Sequence, residues 1–119
     1  MSSAEFQPAL LNSEELQLTT VGRRSGRDSS RPVWFVLDGE RMYLLPGDGT
    51  DSQWYKNLLH TPTIRLSARG TTQSARATPI TNASAVSAVV EAFEEKYGRG
   101  QIEALYPRRE VAVEAQALE

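Results

Sequence analysis

The chain contains no cysteine and a single histidine, His60. Disulfides, thiolate metal sites and cysteine nucleophiles are thereby excluded. One imidazole without carboxylates at ligand spacing around it does not make a zinc site, so no metal is expected. Aromatic residues are scarce, at 8% of the chain. No apolar run approaches bilayer-crossing length, and no basic stretch followed by an apolar core opens the sequence. An excess of one charge is missing too: 13 Lys and Arg against 15 Asp and Glu leave a formal charge of −2. That balance argues against a general nucleic-acid or membrane-surface binder. A soluble, cytoplasmic protein is expected. There is no Gly-x-Ser-x-Gly elbow for a serine nucleophile and no Gly-x-Gly-x-x-Gly for a dinucleotide fold. Neighbouring carboxylates such as Glu94 and Glu95 read as the solvated face of a helix. The catalytic residues are therefore not identified from the sequence.

At 119 residues the chain is long enough for one core. A flexible lead over 1–14 and a single domain over 15–119 are expected. From Glu15 the pattern alternates, with Leu16, Leu18 and Thr20 against Glu15, Gln17 and Thr19, which predicts a first strand to Val21. Ser25, Asp28, Ser29 and Ser30 then read as loop. Pro32 to Leu37 and Met42 to Leu45, separated by Asp38-Gly39, predict a hairpin of two apolar strands buried on both faces. Asp51 to His60 predicts a short helix capped by Thr50 or Asp51 and stopped by Pro62, with Trp54, Tyr55 and Leu58 on one face. Thr63 to Ala68 and Thr72 to Ile80 predict two more strands. Val86, Val89, Val90, Phe93 and Tyr97 mark a longer helix ended by Gly98, and a further helical turn fits Gln101 to Tyr106. Val111 to Ala115 predicts a closing strand. The sum is an α+β fold, a small barrel of about six antiparallel strands with a short helix and one longer helix. The apolar hairpin leaves more surface than one helix covers, which predicts a homodimer built on barrel strands.

The most distinctive stretch is Thr19-Thr20-Val21-Gly22-Arg23-Arg24-Ser25-Gly26-Arg27, closed by Arg31-Pro32. Glycines permit positive φ, so successive amides can face one concavity, and guanidinium groups match phosphate by paired hydrogen bonds. The same residues also read as a solvated basic turn. Trp34, Phe35 and Trp54 read either as core or as walls of a cofactor site. With no convincing acid–base pair, the residues favour holding a reactive cofactor over doing bond chemistry themselves.

The ordered combination of that loop, the apolar strand after Arg31-Pro32, Asp38-Gly39, Asp51-Ser52-Gln53-Trp54-Tyr55-Lys56-Asn57-Leu58, Thr61-Pro62 and the closing Tyr97-Gly98, Tyr106-Pro107 and Val111-Ala112-Val113-Glu114 resembles the deazaflavin-dependent nitroreductase family. The resemblance implies a split β-barrel of the FMN-binding type. It also implies the deazaflavin coenzyme F-420, which passes a hydride to quinones, nitroaromatics or other small acceptors. By position, Arg23, Arg24, Ser25 and Gly26 would hold the coenzyme's phosphate. Arg31, Pro32, Val33 and Trp34 would line its ring and linker, and Trp54 and Asn57 would flank the pocket. The chain departs from the family at Pro46-Gly47-Asp48-Gly49, where a small-residue stretch often carries lysine. Two other readings stay open: the same barrel with FMN, or a non-catalytic module carrying a flavin or haem.

Overall fold

The computed structural model describes residues 13–118. Strands β1 (Glu15–Val21), β2 (Asp28–Trp34), β3 (Val36–Asp38), β4 (Arg41–Leu44), β5 (Thr63–Ala68), β6 (Thr71–Ile80) and β7 (Ala112–Ala117) form one sheet. All its pairings are antiparallel, in the order β2-β1-β5-β6-β7-β4-β3. Three helices accompany it: α1 (Gln53–His60), α2 (Ala83–Tyr97) and α3 (Arg99–Leu105). The α+β barrel expected from the sequence is present, with one strand and one helix more than predicted. The flexible lead predicted over 1–14 falls mostly on 1–12, outside the described residues. Among those described, no helix is long and apolar enough to cross a membrane.

The topology turns on Phe35. Strands β2 and β3 stand at opposite ends of the sheet, yet Phe35 alone separates them in sequence. Seven flat strands would hold their edges roughly 29 Å apart at about 4.8 Å each, far beyond the reach of one residue. The sheet therefore curls until its edges meet, giving a split barrel. The run Pro32 to Leu37, predicted as one strand, is in fact two, because the chain leaves one edge and joins the other at Phe35.

At this crossing the Phe35 ring is wholly buried, and α2 supplies partners for its backbone. Tyr97 Oη accepts from the Phe35 amide at 3.0 Å. Tyr97 Oη and Lys96 Nζ each donate to the Phe35 carbonyl at 2.8 Å. The last turn of α2 thus completes what sheet pairing elsewhere provides, and a buried polar backbone group demands such a partner.

A second difference lies in β2. Asp28, Ser29 and Ser30 belong to a strand, paired with Val21, Thr20 and Thr19. They are exposed, so their backbones join the sheet while their side chains carry no apolar signature. Arg65 on β5 reaches across β1 to pair with Asp28.

The hairpin at Asp38-Gly39 is present. Asp38 pairs with Arg41, and Gly39, at φ +64°, takes the first of the two turn positions, where a glycine gives the backbone twist that the flanking strands need. Helix α2 starts where Asn82 accepts from the Ala85 amide at 3.1 Å and ends at Gly98. For α1 the cap differs from the prediction. A 3-10 turn, Gly49–Asp51, precedes it and Ser52 occupies the cap position; the Ser52 hydroxyl accepts instead from the Asp48 amide at 3.0 Å.

Two apolar clusters result. Leu18, Phe35, Trp54, Leu58, Ile64 and Leu66 help fill the barrel. Val36, Leu45, Val86, Val89, Phe93 and Ile102 lie between the sheet and helices α2 and α3.

Candidate functional site

A cleft of about 460 Å³ runs beside β2. One wall is Arg31-Pro32-Val33-Trp34; another is the stretch Gly47, Asp48, Asp51, Ser52, Gln53 and Trp54; Leu105 and Tyr106 close it from α3. Five residues predicted for the site, Arg31, Pro32, Val33, Trp34 and Trp54, therefore line one cavity.

The Trp34 ring is held from behind. Tyr97 stacks on it at 4.2 Å between centroids and 9° between planes, and Tyr106 meets it at 6.2 Å and 47°. Burial raises the Tyr97 hydroxyl to about 12, even though its bond to the Phe35 backbone pulls the other way. Burial also raises Tyr106 to about 12, so both stay uncharged. The cleft therefore presents aromatic surface that is nearly immobile. Trp54 is buried, packed in the barrel core.

Polar groups around the cleft divide by sign. Arg31 is exposed and forms no ion pair or hydrogen bond among the described residues through its side chain. Glu15, Asp48 and Asp51 carry negative charge into the same space. Asp51 is paired with Arg108, whose guanidinium holds its carboxyl below the ordinary value of 3.8. Arg108 also binds Glu110 at 2.7 Å, and the Thr50 amide donates to Glu110 Oε1 at 3.2 Å. This exposed network fastens the 3-10 turn to the segment after α3. Gly49 sits inside it: a Cβ there would approach Glu110 Oε1 to 2.3 Å.

The basic loop joins β1 to the start of β2, and none of its residues, Arg23, Arg24, Ser25 and Gly26 included, is among those lining the cleft. Its tightness comes from the Gly22 amide bonding the Arg27 carbonyl at 2.8 Å and the Gly26 amide bonding the Gly22 carbonyl at 2.9 Å. A Cβ on Gly22 would meet Ser25 Oγ at 2.7 Å, so the turn needs a glycine there, and Gly26 has φ +72°. Arg23 turns away from the loop's outer surface. Its Nη1 donates to Asn57 Oδ1 at 2.8 Å and its Nη2 to Gln53 Oε1 at 2.9 Å. Asn57 is buried and also donates to Thr20 Oγ1 at 3.2 Å. Arg23 and Asn57 therefore bolt the loop to α1, and neither lines the cleft. Arg24 is exposed and its side chain has no partner among the described residues. The amides of Gly22, Gly26 and Arg27 bond within the turn and that of Arg23 donates to Asn57 Oδ1 at 3.2 Å, whereas those of Arg24 and Ser25 have no partner among the described residues.

Tyr106 and Leu105 are cleft residues that sequence reasoning did not place there. Tyr97, its hydroxyl tied to Phe35, reads in the sequence as part of a helical stripe and of the closing Tyr97-Gly98, with no sign that it braces Trp34. The single signal was the Tyr106-Pro107 pair after a helical turn, which says nothing of the neighbour it will meet. His60, exposed at the end of α1, makes a 3.3 Å contact with Thr61 and lies outside the cleft. Among the described residues no group of three or more His, Asp or Glu is arranged to hold a metal ion.

Comparison with known proteins follows this geometry. No curated protein matches the chain in sequence. Among solved structures, the conserved hypothetical protein Rv2991 of Mycobacterium tuberculosis superposes with a TM-score of 0.76 at 20% identity, covering 100% of this chain and 82% of that one. HutZ, a heme storage protein of Vibrio cholerae, gives 0.74 at 19% identity over 98% and 89%. An F420-H2 dependent reductase, FDR-A, gives 0.67 at 17% identity over 87% and 94%. At these identities the likeness is one of fold, the split barrel, which serves both a reductase and a heme storage protein. In sequence, the family model described as "Uncharacterized protein conserved in bacteria (DUF2255)" matches residues 8–118, and the chain belongs to that family.

Proposed function

We propose that the cleft beside β2 binds a phosphate-bearing deazaflavin, coenzyme F-420, and that the protein is a reductase for small acceptors such as quinones or nitroaromatics. The observation that carries this reading is Arg31, without a side-chain partner among the described residues, at the edge of a cleft walled by Trp34, Trp54 and Tyr106. A flat aromatic ring needs stiff apolar walls, and an anionic tail needs a cation that is not already neutralised. The volume lies within the usual range for cofactor sites, about 300–1,000 Å³. The phosphate is assigned to the side chain of Arg24 and the amides of Arg24 and Ser25, with Gly26 shaping the turn. Arg23 and Asn57 hold that loop in register with α1. A reductase of this fold is among the structural neighbours.

A second reading, FMN in the same cleft, is favoured by Glu15, Asp48 and Asp51, because these carboxylates oppose an acidic tail but tolerate one phosphate. A haem carried on imidazole finds no ligand here, since the one histidine lies outside the cleft.

The bound coenzyme would supply the hydride. This chain's part is orientation and exclusion of water. Trp34, fixed by Tyr97, sets the plane against which a ring packs. Tyr106 keeps an uncharged hydroxyl in the cleft, able to donate a hydrogen bond. Leu105, exposed at 53% on the cleft's outer side, is apolar surface that a twofold partner would cover. We assign the assembly as a homodimer with the cleft near its boundary.

The test is titration of the purified protein with F-420, FMN and haem in turn, followed by ligand absorbance and tryptophan fluorescence. F-420 is expected to saturate. The Arg24→Ala/Arg31→Ala double variant should weaken it well over tenfold, since each charge-assisted bond is worth about 1.5–3 kcal/mol. Saturation by FMN alone selects the second reading, and saturation by neither coenzyme overturns both. Sedimentation showing only monomer at micromolar concentration would remove the dimer.

A further inference from the structure

A second cavity, of about 470 Å³, lies on the other side of the Phe35 crossing, between α2 and the β3–β4–β7 part of the sheet. We infer that it binds a small amphiphilic cation, a primary amine on a compact apolar body. The inference stands on this cavity alone and does not depend on the cofactor reading.

Strand register assembles its polar groups. Glu114 pairs with Tyr43, and Tyr43 pairs with Val36. Directly opposed residues share a face, so these three form one row across three strands. Asp38 lies two residues from Val36 on the same face of β3. Against this row α2 sets Ala85, Ala88 and Ala92. Alanines three and four residues apart lie on one helix face, and their short side chains leave open the space a larger residue would fill. Ile80 and Val89 complete an apolar interior.

The charge is one-sided. No lysine, arginine or histidine is among the lining residues, whereas two carboxylates are. Asp38 and the Tyr43 hydroxyl have no side-chain partner among the described residues. Glu114 forms one ion pair among the described residues, with Arg41 at 3.9 Å; the same Arg41, which stands opposite Asp38 in the β3–β4 register, has a side chain 59% exposed. A pair so long and so exposed is weak and screened. With Arg41 offsetting one carboxylate, about one negative charge stays uncompensated beside apolar surface. An ammonium group has three donors and no acceptor. Glu114, Asp38 and Tyr43 Oη offer the acceptors, and the apolar body displaces water from the alanine face.

The probe is cyclohexylmethylamine, with cyclohexylmethanol and cyclohexanecarboxylate as shape-matched controls, followed by NMR of alanine and valine methyl groups. The amine should give saturable shifts at Ala88 and Val89. The alcohol should bind at least tenfold more weakly, and the carboxylate should not bind. Asp38→Asn/Glu114→Gln should cost tenfold or more in amine affinity, and Ala88→Phe, filling the cavity, should abolish binding with the thermal midpoint nearly unchanged. Equal binding of all three compounds, or shifts confined to other methyls, overturns the inference. So does a dimer that becomes monomer on Ala88→Phe while no compound binds, since the face would then be a subunit contact. If the double variant fails to fold, Asp38→Asn alone, at an exposed residue, carries the charge test.

Discussion

The two clefts flank one crossing and share no lining residue. Trp34 borders the first and Val36 the second, with only Phe35 between them. The first combines aromatic rings and three carboxylates with Arg31, whose side chain has no partner among the described residues; the second combines alanines with two carboxylates and no cation in its lining. Their difference comes from what each edge strand meets. Strand β2 faces the turn before α1 and the end of α3, whereas β3 faces α2 and runs beside β4, with β7 beyond it. A closing barrel thus places an aromatic surface and an alanine-lined one a few residues apart, and which residues stand opposite the edge decides the difference.

The strongest way to break the comparison is to remove the residue at the crossing between them. Phe35→Ala empties a wholly buried site at the crossing, where aromatic truncation costs about 3–5 kcal/mol. Urea unfolding should show that loss, and both clefts should lose their ligands together. Survival of either cleft would mean that the crossing does not organise both.

A milder change should sharpen the contrast. Tyr97→Phe keeps the stack on Trp34 but removes the hydroxyl from the Phe35 amide and carbonyl. A destabilisation of about 1–2 kcal/mol is expected from unsatisfied backbone groups, softened where Lys96 still serves the carbonyl. Near-ultraviolet circular dichroism should retain most of the Trp34 signal. Tyr97→Leu should lose that signal and should affect the first cleft more than the second.

Smaller still is the effect of the Arg108 network, which touches only the first cleft. Asp51 and Glu110 both have carboxyl values lowered from 3.8 and 4.5, Asp51 chiefly by Arg108 and Glu110 first by the Thr50 amide and then by Arg108. A lowered folded value means that stability is present above the unfolded value and is lost as pH falls through the folded one. The difference in thermal midpoint between the native chain and Arg108→Ala should therefore be constant above about pH 5.5 and shrink below about pH 4. Because these groups are fully exposed, added salt should shrink it as well. A difference that ignores pH and salt would show that packing, not charge, fastens the turn.

The smallest expected effect is none. His60→Ala should leave coenzyme binding and most quinone reduction intact, because the imidazole lies outside both clefts. Loss of turnover with binding preserved would make His60 the proton donor and end the orientation-only mechanism.

Much of the fold could be read directly where burial leaves a periodic trace. Leu16 and Leu18 marked β1, Trp54 and Leu58 marked the buried face of α1, and Asn82 and Gly98 stood at the ends of α2. Exposed pairing leaves no such trace. Asp28, Ser29 and Ser30 read as loop because an edge strand joins through its backbone, and their polar side chains stay in water. Phe35 read as mid-strand because an apolar run looks the same whether it stays on one edge or crosses to another. The basic loop was legible as a feature, but not the division of labour within it, where Arg23 is spent on Gln53 and Asn57 while the Arg24 side chain has no partner among the described residues.

By itself, the sequence determined the absence of thiol chemistry, the helical and strand faces that must be buried, and the tight turns at Gly22 and Gly39. Those follow from residue chemistry and local backbone sterics, which need no partner to act. Tertiary structure alone decided that the two edges meet at Phe35, that Tyr97 fixes Trp34, and that Tyr106, from the distant end of α3, closes the first cleft. It also set the row Glu114, Tyr43, Val36 opposite the alanines of α2. These contacts join residues up to 72 positions apart, Trp34 and Tyr106. The chain meets itself there only because curling the sheet satisfies edge hydrogen bonds and buries both apolar clusters at once.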